Sequence, residues 1–126
     1  MLQVEAHPVL ADTSAWIDHL RRGNEEVSRI IEADVLVLHE FVFGELVFGA
    51  LPRGHAAAED LRAFPFLPTI SHEDVVEYVR AHRLERSGIG WTDVHLVAAA
   101  AAGGARVLTL VHALLTVVRR LDLSAS

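Results

Sequence analysis

Three carboxylates stand in apolar company at widely separated points of the chain: Asp12, Glu45 and Asp93. Asp12 closes the apolar run 9–11. Glu45 is the only charge between Phe41 and Pro52, with Phe41, Val42, Phe48 and Gly49 three and four residues away. No other charged side chain occurs from Val94 to Ala105, and Leu96 and Val97 share the helical face of Asp93. A carboxylate drawn out of water is costly unless it is paired, protonated or bound to a cation. If the chain gathers all three into one pocket, oxygen-only ligands select a hard ion, Mg²⁺ or Mn²⁺ rather than zinc. Each acid also has a plainer reading. Asp12 can cap a helix, Glu45 can protrude at the rim of a sheet, and Asp93 can stabilise a helix dipole from its first turn.

Other catalytic chemistries find less support. With no cysteine, the chain has no disulfide, thiolate zinc site or cysteine nucleophile. Ser14 and Ser71 lack the Gly-x-Ser-x-Gly turn of a hydrolase nucleophile, and a phosphate loop ending in lysine is excluded because all eleven basic residues are arginine. The eight histidines show no metal-ligand spacing: His39-Glu40 is not followed by a second histidine four residues after the first, so scattered surface histidines are expected. Asp12 as a phosphoryl-accepting nucleophile is a weaker alternative, since Ser14 stands where such phosphatases usually carry a second acid. Trp16 and Trp91 flank the acids and can stack on bases, but packing is the expected role of both.

The elements that must position these residues alternate. Residues 9–11 form an expected strand, and Thr13 and Ser14 can cap a helix to about Leu20. A helix follows from Glu25 to Ile31, then a continuous apolar strand over 35–38 and a helix from about His39 to Ala50, with Pro52 and Gly54 as breaks. Residues 56–64 read as helix and 65–70 as a loop passing into a short strand. Ser71 followed by Asp74 resembles a cap for a helix to about Arg86. Thr92 can cap a helix over 93–102, whose five alanines permit close approach to a sheet; Gly103 and Gly104 stop it. A strand over 106–110 and a helix over 113–121 complete the order. Strands alternating with helices imply an α/β fold with a mostly parallel sheet between helix layers.

A chain of 126 residues with 52% apolar content makes one domain, 1–126, with a sizeable core. Its apolar stretches are too short or too interrupted to cross a bilayer, which takes about 20 residues. The first ten residues, carrying Glu5, His7 and Pro8, lack the basic start and apolar core of an export signal. A cytoplasmic protein is expected. A net charge of -6 argues against wrapping nucleic acid by bulk electrostatics, so any such contact must be local, with an arginine such as Arg86 steering a backbone.

Asp12-Thr13-Ser14-Ala15-Trp16-Ile17-Asp18, then Gly44-Glu45-Leu46 with Gly49, then Gly90-Trp91-Thr92-Asp93 leading into Leu96 and the alanine run, resemble the successive motifs of PIN-domain toxins of the VapC type. The likeness spans nearly the whole chain. It implies a PIN-like three-layer α/β/α sandwich and a metal-dependent endoribonuclease that cuts structured RNA with metal-activated water. It further implies the toxin role in a type II toxin-antitoxin system, a small antitoxin partner and a homodimer. Carried over, the acids are Asp12, Glu45 and Asp93, holding Mg²⁺ or Mn²⁺, with Thr13 or Ser14 as supporting hydroxyl. One departure stands out: where the family's last strand ends in Thr-x-Asp, this chain has Thr109-Leu110-Val111-His112. Val111 replaces a fourth acid, so a catalytically weakened or inactive module that binds antitoxin or RNA is the alternative. Thr109 joins Thr13 and Ser14 as a supporting residue; for it and His112 the alternatives are water-mediated contacts or a plain structural role.

Overall fold

Strand β1 (Val9–Ala11) has all three residues buried, although successive side chains of a strand point to opposite faces. Both faces of the sheet are therefore covered, which makes the architecture helix, sheet, helix. β1 pairs in parallel with β2 (Leu36–Val37) on one side and β3 (Arg106–Leu108) on the other, so that fully buried Leu10 stands between Val37 and Val107. The order is β2-β1-β3. Single-residue parallel bridges, Leu38 to Phe66 and Val107 to Ser124, add an extended segment at each edge. The computed structural model describes residues 7–52 and 55–125; the break expected at Gly54 and the leading-segment reading of Glu5 lie outside them. Among the described residues no helix is long and apolar enough to cross a membrane.

Seven helices surround this sheet among the described residues: α1 (Thr13–Arg22), α2 (Glu25–Glu32), α3 (Glu40–Gly49), α4 (His55–Arg62), α5 (His72–His82), α6 (Trp91–Gly103) and α7 (His112–Arg120). Helix α6 is the hub. Residues 94–100 are all buried, so the helix is enclosed on every side. Leu96, Val97, Ala99 and Ala100 join the main core with β1 and β3, while Val94 and Ala98 join a second cluster with Val75 of α5, Leu84 and Val117 of α7. Alanine makes this double contact possible by letting α6 lie close to both neighbours. α3 is the opposite case, with only Val42 and Leu46 fully buried and its other flank turned to solvent.

Several local expectations need correcting. The cap of α1 is Asp12, not Thr13 or Ser14: its carboxylate accepts the Ala15 N–H at 2.9 Å. Thr92 lies inside α6, which Gly90 caps through its backbone. The Ser71 cap does form, its hydroxyl accepting the Asp74 N–H at 3.2 Å, but α5 stops at His82 instead of Arg86. Arg83 adopts the left-handed conformation (φ 54°), and Leu84 N–H bonds back to the Val79 carbonyl, which turns buried Leu84 into the second core cluster. The strand expected before Ser71 reduces to the Phe66 bridge. β3 ends at Leu108, because Thr109 leaves the ladder to serve the site described next.

Candidate active site

Asp12 lies at the carboxyl end of the central strand, where ligands enter parallel sheets. It is only 3% exposed, and every donor around it is accounted for. Oδ1 accepts the Ala15 N–H and the Ser14 hydroxyl (2.6 Å); Oδ2 accepts the Thr109 hydroxyl. The two hydroxyls are fixed in turn by backbone donors: Leu110 N–H to Ser14 Oγ at 3.0 Å, and Val111 N–H to Thr109 Oγ1 at 3.0 Å. Ser14 and Thr109 approach within 3.4 Å, yet each has already given its hydrogen to Asp12, so this is a contact and not a bond between them. The result is a carboxylate locked from the strand, helix α1 and the segment after β3. Thr109, expected as a supporting residue acting through water, is therefore tied directly to Asp12.

Asp93 stands in the first turn of α6 and reaches back to the Gly90 N–H, which tends to lower its pKa. Burial, followed by the negative charges of Asp12 and Glu45, outweighs that bond and holds the Asp93 carboxyl above the usual carboxylate range. Glu45 lies on the exposed flank of α3, and Thr13 donates its hydroxyl to Glu45 Oε1 at 3.0 Å. The desolvation argument for Glu45 therefore does not hold: Val42 and Phe41 turn to the core, whereas Glu45 shares the solvent flank of α3 with Phe48 and Gly49. What brings it to the others is its place on α3, facing the start of α1.

All three acids line one cleft of about 330 Å³, together with Thr13, Ser14, Thr92, Trp91, Gly90 and Val111. Among the described residues no arginine or histidine belongs to that lining, so none of them compensates the negative charge there. Arg86 is not part of it. Among the described residues no three His, Asp or Glu side chains already stand at metal-ligand spacing. The donors nonetheless suit a hard divalent cation in kind, in charge and in sharing one cleft. Val111, 43% exposed at the head of α7, contributes only methyl groups.

Two histidines expected at the surface are core residues, His39 and His95. His39 caps α3: its Nδ1 accepts the Phe41 N–H at 3.0 Å, which leaves Nε2 carrying the hydrogen, and that atom has no partner among the described residues. Burial pushes the His39 pKa down to about 4, helped by neighbouring His95, against a weaker opposing pull from Glu40. A histidine whose folded pKa lies below its unfolded value of 6.5 binds fewer protons folded than unfolded, so its contribution is complete above about pH 6.5 and is lost toward about pH 4. The shift corresponds to at most about 3 kcal/mol. His39→Asn keeps a capping side chain without titrating, so its melting temperature should fall less than the parent's between pH 7 and pH 4.5; parallel curves would refute this. Of the tryptophans, Trp16 is packing, as expected, whereas Trp91 is partly exposed at the cleft mouth.

Residues 9–110 match the family model described as PIN domain. The chain is also similar to ribonuclease VapC32 of Mycobacterium tuberculosis, from strain CDC 1551 / Oshkosh and from strain ATCC 25618 / H37Rv. The identity is 31% over 102 residues in each case, covering 80% of this chain and 82% of the relative. The matched family region encloses Asp12, Glu45, Asp93 and Thr109 and stops one residue before Val111.

Proposed function

The chain belongs to the PIN domain family, and we propose that it is a metal-dependent endoribonuclease, the toxin of a type II toxin-antitoxin pair, that cleaves structured RNA. The observation that carries this reading is the meeting of Asp12, Glu45 and Asp93 in one cleft that no basic residue lines among the described residues. Those acids would hold Mg²⁺ or Mn²⁺; when bound, such an ion activates water for attack on a phosphodiester and stabilises the leaving oxygen. Ser14 and Thr109 keep both Asp12 oxygens oriented from the protein side. Thr13 parks Glu45 at the cleft while it is unengaged. Asp93, its pKa raised by burial and then by the neighbouring carboxylates, takes up protons in competition with a cation at higher pH than an ordinary aspartate does, so activity should decline with acid before an ordinary aspartate titrates.

The relative's name as a ribonuclease supports the RNA substrate, and the VapC likeness supports an antitoxin partner, a homodimer and residence in the cytoplasm. Purified protein with Mg²⁺ or Mn²⁺ should cut RNA, and EDTA should slow it by about 100-fold or more. Cutting that persists in EDTA overturns the metal requirement; none with either ion overturns the nuclease. The second reading, a weakened module that binds antitoxin or RNA, is favoured by one observation: Val111 puts methyl groups where a fourth acid would face the cleft.

A further inference from the structure

A second cleft, of about 510 Å³, opens beside the acidic one, and Glu45, Trp91 and Thr92 belong to both. Half of its lining is rings, Phe41, Phe48, His72 and Trp91, and Glu40 and Glu45 add two carboxylates at one side. Trp91 lies parallel to His72 (7°, centroids 5.7 Å apart) and edge-on to His95 at 4.9 Å; His95 also packs on Phe41 at 4.8 Å. Because His95 is buried in α6, this set of rings is held in place before anything binds. Phe48, 95% exposed on α3, forms the open side.

We propose that this ring-lined cleft receives an unpaired nucleobase of the RNA, from the nucleotide adjoining the phosphodiester held at the acids. The inference rests on the nuclease reading and narrows it to RNA with a free base at the cut. Charge makes the argument. Among the described residues neither cleft is lined by an arginine, Glu40 and Glu45 line the ring-walled one, and the chain carries a net charge of -6, so what this cleft offers an RNA is its rings and not phosphate attraction. The uncharged, flat part of a nucleotide is its base, and stacking on aromatic rings accepts any base. The three shared residues place such a base within one nucleotide of the acids. Bases inside a duplex are already stacked and paired, which excludes them unless they are turned out.

The test is binding without cutting. In EDTA, a fluorescently labelled single-stranded RNA is titrated with protein and compared with a ribose-phosphate chain of equal length that lacks bases. Wild type should bind the intact strand roughly ten-fold tighter. Phe48→Ala, which removes an exposed ring and leaves the core alone, should lose most of that difference while its affinity for the base-free chain stays the same. Equal affinity for the two strands, no measurable RNA binding, or unchanged RNA binding by Phe48→Ala overturns the proposal. So does a Phe48→Ala variant that turns a dimer into a monomer with RNA binding intact, which would give the face to a second copy of the chain. Absence of cutting in Mn²⁺, with base-dependent binding preserved, would count against the nuclease reading alone.

Discussion

Asp12→Asn should lower the rate of RNA cleavage by about 1,000-fold or more while the protein still folds, because asparagine removes a metal-holding charge but remains a good helix cap. The geometry explains why the two effects separate. Asp12 caps α1 through Oδ1 and takes the Ser14 and Thr109 hydroxyls on its two oxygens. Asparagine keeps one acceptor for the cap and presents an amide to the other side, where Thr109 must turn its hydroxyl. Alanine at the same place keeps nothing. Asp12→Ala loses the cap and leaves buried hydroxyls without an acceptor, about 2–4 kcal/mol together. Cleavage rates and thermal melts of both variants check this. An Asn variant with full activity would remove Asp12 from the mechanism, and an Ala variant as stable as the parent would remove it from the framework.

Val111→Asp should move in the other direction. Val111 is the N-cap of α7 and makes no side-chain capping bond, yet it lines the acidic cleft. An aspartate there supplies a cap, about 0.5–2 kcal/mol, and a fourth carboxylate. In EDTA the new charge repels those already present, so the gain in melting temperature should be small. With Mn²⁺ the repulsion becomes attraction: calorimetric titration should show roughly ten-fold tighter ion binding, and the melting temperature should then climb with ion concentration. A matching rise in cleavage means that the natural chain runs on an incomplete ligand set. Unchanged ion affinity and cleavage mean that three acids suffice.

Much of this arrangement was legible because it is local. The apolar run 9–11 followed by an acid, and the glycines at 103–104 after an alanine helix, determine β1, α6 and their ends with little help from the rest of the chain. Asp12 and Asp93 could be singled out as candidates for the same reason: each sits at an element boundary, and both line the same cleft. Glu45 was singled out for a reason that does not apply to it: although Val42 is buried, Glu45 itself lies with Phe48 on the solvent flank of α3, so no burial cost selects the acid. Thr109 is legible as a supporting residue, but not its direct bond to Asp12, which spans 97 positions and is encoded by no local pattern. His39 and His95 were misplaced because a histidine's position relative to the core depends on how α3 and α6 pack, which spacing alone does not fix. The overlong α5 has a simpler cause: Arg83 in a left-handed turn is a stop that only glycine or asparagine would have announced.

The enclosure of α6 has a mechanical corollary. A rod wedged on all sides cannot tilt without opening voids in two cores at once, and tightly packed interiors resist that strongly. Asp93 at its tip and Asp12 on the central strand thus form an unyielding pair. Glu45 rides instead on a helix anchored along one side. Whatever accommodation the molecule makes to differently shaped substrates falls on that outer jaw, leaving the inner two points as its fixed reference.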